Sequence, residues 1–265
     1  TCALPIWLIE GFTEPLPISS SGHVIIFKEL FQVSITDEIN FNIFVNFGSF
    51  IAIIIFYRVF LKELIIDSWI YIFKKDQKGK ESFLYIIYVI IATIPAAIAG
   101  YLLKDIIDDK FSSLLSVGIC LFITGLLLLL ISSVAKYANT EKISLKTSIM
   151  MGLAQVIGLL PGISRSGSTT SLAVLNKVDL EKGLRFSFMM YIPISIGSLV
   201  LGIADLDTAT TYITGYIGAF IISGIATFIA INLFFKLVKK SNLKYFGIYC
   251  LTIASAVLIY LAVTK

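Results

Sequence analysis

Charged side chains are what this chain has least of. Of its 265 residues 14% are charged, against about a quarter in a soluble domain. With 57% hydrophobic residues, too few polar groups remain to cover a water-facing globule. Histidine occurs once, at His23, which excludes any site built on a histidine pair. The three cysteines show no paired spacing for disulfides or zinc. Cys120 and Cys250 fall inside apolar runs and read as packing residues, with Cys2 at the extreme end. No loop is long enough to fold alone, so a single membrane domain over 1–265 is expected rather than separate soluble units. The net charge of +4 is too small to suggest a nucleic-acid partner. No charged segment precedes the first apolar run, so no cleavable signal is expected. With no starting methionine, the first residues are expected to be truncated or foreign.

What is present is apolar sequence in long runs. Six uninterrupted stretches, about 40–57, 83–103, 112–135, 184–203, 210–235 and 245–263, are long enough to cross a hydrocarbon core of about 30 Å. Two further apolar segments are broken. Residues 1–30 carry Pro5, Pro15 and Pro17, and residues 146–176 carry Pro161 and Gly162. Proline removes a backbone donor and fixes φ, so no continuous helix runs through either. Irregular backbone at membrane depth needs protein or a wet cavity to satisfy it. Both segments therefore read as re-entrant pairs of half-helices. The fold class is an all-α polytopic membrane protein with six transmembrane helices and two re-entrant segments.

Lysine and arginine set the orientation. The loops 58–80, 136–146, 176–185 and 236–244 together hold sixteen of them, and the opposite-side segments with the C-terminal tail hold four, Arg165 standing apart. By the positive-inside rule the richer loops are cytoplasmic, and the region after His23 faces outward. Three crossings separate the two broken segments, so they enter from opposite faces. At an offset of 145, Glu10 falls on Gln155, Ser19 on Ser164, Ser21 on Ser166 and Gly22 on Gly167. Two such halves, 1–135 and 146–265, form an inverted repeat, which places a site near the midplane.

The broken segments also hold the chemistry. Glu10 and Glu14 are four residues apart and share one face of a short helix ending near Pro15. Ser19, Ser20 or Ser21 can cap a second helix carrying His23 in its first turn. In the other segment Arg165 sits among Gly162, Ser164, Ser166, Gly167, Ser168 and Thr169, a small-residue loop leading into a helix. Exposed amides and a positive helix end suit phosphate, and a guanidinium adds two-point contact with its oxygens. A buried arginine needs partners. Glu10 and Glu14 supply them, either as a structural salt bridge or around a bound anion. Carboxylates beside a phosphate make sense if they hold a divalent cation, Mg2+ or Ca2+, or if one acts as a base.

With these residues the chain resembles the undecaprenyl-pyrophosphate phosphatases, the bacitracin-resistance family. Both family signatures stand here, Glu-x-x-x-Glu with Leu-Pro-x-Ser-Ser-x-Gly-His from Glu10 to His23, and Pro-Gly-x-Ser-Arg-Ser-Gly-x-Thr from Pro161 to Thr169. The resemblance extends over essentially the whole chain. It implies hydrolysis of undecaprenyl pyrophosphate to the monophosphate at the outer, periplasmic face of the bacterial inner membrane. Family roles fall on Glu10, Glu14, Ser20, His23, Ser164, Arg165 and Thr169. Two departures stand out: Pro15 replaces an aromatic residue, and residues 1–5 differ from the family's start. Type-2 phosphatidic-acid phosphatases share a Ser-Gly-His and a Ser-Arg element but need a second histidine, so their mechanism is excluded.

The expected reaction uses Ser20 as nucleophile with His23 as base and later acid, while Ser164, Arg165, Ser166, Gly167 and Thr169 hold the phosphate. Attack by His23 itself, or by water activated at Glu14, stays open. The partners are the prenyl diphosphate lipid and the bilayer, with a homodimer also open. The rival function is a transporter or flippase of a prenyl-phosphate lipid, because broken helices and inverted repeats are also transporter architecture.

Overall fold

The computed structural model describes residues 4–33, 38–204, 213–238 and 243–264, with side chains for all of these except 38–41, 203, 204 and 213. Cys2, the expected outward segment 205–210 and Lys239 and Lys240 lie outside the described residues.

Among the described residues ten α-helices follow one another: α1 Leu4–Thr13, α2 Ser20–Phe31, α3 Glu38–Lys74, α4 Lys80–Phe111, α5 Leu114–Val134, α6 Leu145–Ile157, α7 Arg165–Leu175, α8 Leu180–Ala204, α9 Ile213–Leu237 and α10 Leu243–Thr264. Single 3₁₀ turns follow α3 and α5, and no strand forms among the described residues. Six helices, α3, α4, α5, α8, α9 and α10, are long and apolar enough to cross a membrane. The two broken segments form the short helix pairs α1–α2 and α6–α7. The architecture is thus an all-helical, multi-pass membrane bundle with two helical hairpins.

The largest difference from the sequence reading is α3. The stretch 58–80, expected as a loop, is helical to Lys74. No glycine or proline occurs between Arg58 and Asp76, and Lys62, Glu63 and Asp67 can extend a helix into headgroups or water. At about 1.5 Å per residue α3 exceeds the hydrocarbon thickness, so its cations ride on a projecting turn-rich end. Lys75, at φ 54°, breaks the helix, and the 3₁₀ turn Gln77–Gly79 follows.

Three of the cation-rich connections meet at one end of the molecule. Lys142 pairs with Glu81 at 2.5 Å and Lys182 with Glu141 at 2.9 Å. The amides of Asn139 and Thr140 donate to the Lys177 carbonyl, and that of Asp179 donates back to Thr140. Three of the four loops that charge counting assigns to one side are therefore neighbours.

Packing is close where helices cross. A Cβ on Gly48 of α3 would lie 2.2 Å from the Phe220 carbonyl oxygen of α9, and Gly125 of α5 faces Gly247 of α10 in the same manner. Small residues let backbones approach where lipid gives no hydrophobic drive between helices. The main core joins Phe50 and Ile53 of α3, Met151 of α6, Leu184, Phe186 and Met190 of α8 and Phe234 of α9. A second cluster holds Ile18 of the first hairpin against Val117, Leu121 and Cys250 of α5 and α10. Cys120 and Cys250 are buried free thiols, as their apolar settings suggested. The outer faces carry exposed Leu102, Leu130 and Val263, a surface suited to lipid rather than water.

The glycine crossing makes a direct prediction. Gly48→Ala forces α3 from α9 and should lower stability by about 1–3 kcal/mol. Gly215→Ala on α9, with nothing within 4 Å of the added carbon, should be neutral or stabilising by up to about 1 kcal/mol. Thermal unfolding in detergent measures both; an unchanged melting point for Gly48→Ala would contradict the packing described.

Candidate active site where two helical hairpins meet

The first hairpin turns because α1 ends at Thr13 and Pro15 and Pro17 follow. Glu14 still donates its amide to the Glu10 carbonyl at 2.9 Å, so Pro15 falls just past the last helical bond and leaves the acidic face intact. Ser19 caps α2, its hydroxyl accepting from the Gly22 amide. Its φ of 67° lies in the left-handed region, which is unfavourable for a serine. The same hydroxyl also accepts from the Gly162 amide of the second hairpin at 3.0 Å. One strained cap thus serves both hairpins.

The second turn is built in parallel. Ser164 caps α7 through the Gly167 amide at 3.0 Å. Ser19 and Ser164, matched in the sequence at an offset of 145, are therefore the two caps, and α2 and α7 begin one residue after each. Gly162 has φ 96°, and a Cβ there would meet the Val117 carbonyl oxygen of α5 at 2.6 Å. Thr124 of α5 holds this turn from behind, donating to the Gly162 carbonyl at 2.9 Å and accepting from the Ser164 amide at 3.1 Å. The turns touch closely, since a Cβ on Gly22 would lie 2.9 Å from the Gly162 Cα. Two helix N-termini, each with uncapped amides and a partial positive charge, converge on one point.

At that point stand Glu14, Ser20 and Arg165. The Arg165 guanidinium bonds Glu14 Oε1 at 2.6 Å across a buried contact in which the carboxylate is 6% exposed. The Ser20 hydroxyl donates to Glu14 Oε2. Arg165 also lies over the Tyr191 ring of α8, 4.4 Å from its centroid. His23 does not join them. Its Nδ1 lies 2.8 Å from the Ser19 carbonyl oxygen and its Nε2 2.9 Å from the Tyr249 hydroxyl of α10. Glu10 is buried, and its Oε2 has no hydrogen-bond partner among the described residues.

The other residues of the second signature support this centre from behind. Thr169 is fully buried, its hydroxyl bonding the Arg165 carbonyl at 2.9 Å and Ser187 of α8 at 2.6 Å. Ser166 donates to the Leu16 carbonyl at 3.4 Å, across the hairpins. Gln155, the counterpart of Glu10, is buried with neither side-chain atom bonded among the described residues. The sequence reading missed Tyr191, Tyr249, Thr124 and Ser187. Each belongs to an apolar span, where nothing local separates it from a packing residue.

Among the described residues no three His, Cys, Asp or Glu side chains gather as a metal site. Two carboxylates and nearby hydroxyls are nevertheless hard oxygen ligands, and the unbonded Glu10 Oε2 is an acceptor left for such an ion. Glu10 and Glu14 are the residues that would hold a divalent cation.

Fold and site together define a membrane-embedded bundle whose interior brings together an arginine, carboxylates and two helix N-termini. The profile of the family described as Bacitracin resistance protein BacA matches residues 3–256. The chain belongs to that family. It is 41% identical to "Undecaprenyl-diphosphatase 2" of Bacillus thuringiensis (strain Al Hakam) over 261 residues, 97% of this chain and 96% of that protein. It is 39% identical to "Undecaprenyl-diphosphatase" of Oceanobacillus iheyensis, covering 96% of this chain and 94% of that protein. The same identity holds to "Undecaprenyl-diphosphatase 1" of Halalkalibacterium halodurans, over 93% and 91%.

The shared cap is testable apart from any activity. Ser19→Ala strands two buried amides, at about 1–3 kcal/mol for an unsatisfied buried donor, and should lower the melting point in detergent. Ser21→Ala, on the exposed side of the same turn, should not. Equal effects would mean that Ser19 is an ordinary cap with no hold on the second hairpin.

Proposed function

We propose that this protein hydrolyses undecaprenyl pyrophosphate to undecaprenyl phosphate and inorganic phosphate in the bacterial inner membrane, recycling the lipid carrier of cell-wall synthesis and conferring bacitracin resistance. The observation that carries the reading is the convergence of Glu14, Ser20 and Arg165 at two helix N-termini. Family membership and the names of the relatives support the substrate.

In this reading Arg165 and the first turn of α7, shaped by Ser164, Ser166, Gly167 and Thr169, bind the terminal phosphate and its developing charge. Ser20 attacks phosphorus, and its bond to Glu14 supports that carboxylate as acceptor of the hydroxyl proton. The bridging P–O bond breaks, undecaprenyl phosphate leaves, and water then releases phosphate from Ser20. His23, whose ring nitrogens bond elsewhere, belongs to the leaving-group side. A divalent cation held by Glu10 and Glu14 would neutralise charge on the phosphate oxygens. Beside His23 an apolar cavity of about 620 Å³ lies between α1, α2, α9 and α10, with room for the first isoprene units of the tail.

The two hairpins act as re-entrant segments of an inverted repeat within one membrane domain. The paired caps at Ser19 and Ser164 support the repeat, as do α1 against α9 and α6 against α4, equivalent contacts in the two halves. The cation-rich end is cytoplasmic and the site opens to the periplasm. Asp108→Cys, at the opposite end of α4 from Glu81, should therefore react with an impermeant thiol reagent on intact cells whose outer membrane is absent or opened; labelling only after lysis would reverse the orientation.

Purified protein should release phosphate from undecaprenyl pyrophosphate, lose that activity with a chelator and regain it with Mg2+ or Ca2+. Arg165→Lys should lower kcat/KM by about 10²–10³-fold, the usual cost of one lost charge-stabilising contact. Lipid movement across liposomes with no phosphate release would favour the transporter reading instead, and a near-normal Lys variant would show that any cation serves.

A further inference from the structure

We propose that Tyr249 is a positioning residue for the reaction, fixing the tautomer and aim of His23 from the opposite half of the chain. The assignment rests on the phosphatase reading for its role, and on hydrogen-bond chemistry for its geometry.

A carbonyl oxygen only accepts, so the 2.8 Å contact with Ser19 requires hydrogen on His23 Nδ1. In the neutral ring Nε2 then carries the lone pair. The only partner shown for it is the Tyr249 hydroxyl, 2.9 Å away, which must donate. The two rings lie nearly parallel, 5° apart with centroids 5.6 Å from each other, so the phenol holds the imidazole by its edge and fixes its rotation. Both nitrogens are thereby assigned, one by the strained cap of α2 and one by α10, 226 residues away.

The location gives this arrangement a use. His23 and Tyr249 both line the apolar cavity, whose remaining walls are Leu8, Ile9, Phe12, Ile229 and similar side chains. Thr13 is its one other polar lining residue, and no charged side chain borders it. The ring and its phenol partner therefore border the cavity in which the prenyl chain would lie. A phenol donating to Nε2 holds the neutral ring in the Nδ1–H tautomer, so Nε2 is the nitrogen at which the ring gains a proton and, once protonated, the one that can give it to the prenyl-phosphate leaving group. Tyrosine is also common near membrane interfaces as an anchor, and such a role would not touch the ring nitrogens.

His23 is the only histidine, so protein labelled with 15N-histidine yields the signals of this one ring. The wild type should show the Nδ1–H tautomer with a hydrogen-bonded Nε2. Tyr249→Phe should shift Nε2 toward a non-bonded lone pair and lower kcat about tenfold, with KM for undecaprenyl pyrophosphate little changed. A wild-type ring protonated on Nε2 in the neutral form overturns the proposal whatever the variant does. So do unchanged nitrogen signals in Tyr249→Phe, or an altered spectrum with normal kcat. The nitrogen spectrum needs no turnover, so a wild type that releases no phosphate would sink the phosphatase reading and leave the tautomer result standing.

Discussion

The contact between Glu14 and Arg165 is the constraint on which the site depends. Each lies at the turn of a different hairpin, 151 residues apart in sequence, and each would be costly to bury alone. Paired, they tie one turn to the other where lipid offers neither charge any water. The remaining geometry follows from that tie. Ser20 reaches the second oxygen of the same carboxylate, Ser19 bridges the two backbones, and Thr124 fixes Gly162 so that α7 starts at Arg165. Tyr191 covers the guanidinium face that Glu14 leaves open. In the proposed reaction an entering phosphate would meet a guanidinium already positioned by a carboxylate and an aromatic ring, the preorganisation that charge stabilisation requires.

Much of this could be read from the residues before any coordinates. The prolines after Glu14 and at Pro161 marked two broken helical segments, and the three serines from Ser19 to Ser21 were the candidate caps of the second half-helix, of which Ser19 is the one used. Counting lysines and arginines grouped four loops, three of which turn out to be neighbours. These inferences succeed because they rest on local rules: helix period, proline sterics, capping and the charge bias of membrane loops. The loop expected at 58–80 failed for a local reason too, since charged residues without a breaker continue a helix once it leaves the hydrocarbon.

What the residues could not supply were partners distant in the chain. Ser20 was expected to give its proton to His23, three positions on, yet it bonds Glu14, and His23 turns to Tyr249. Helical spacing allows both arrangements, and the choice is made by α10 and by the left-handed conformation of Ser19. Tyr191 and Tyr249 look like any aromatic in an apolar span until packing sets them against a cation and an imidazole. Thr169 and Ser164, expected to face phosphate, spend their hydroxyls on the helix start and on Ser187, so they act by shaping α7.

The central claim is that one ion pair couples the two hairpins. A double-mutant cycle of Glu14→Gln and Arg165→Gln, read by thermal unfolding in detergent, tests it directly. The account predicts that the single variants each destabilise and that the double variant recovers part of the loss, a coupling of about 1–3 kcal/mol as found for groups in contact. Strictly additive losses would contradict it and leave the hairpins joined by backbone packing alone.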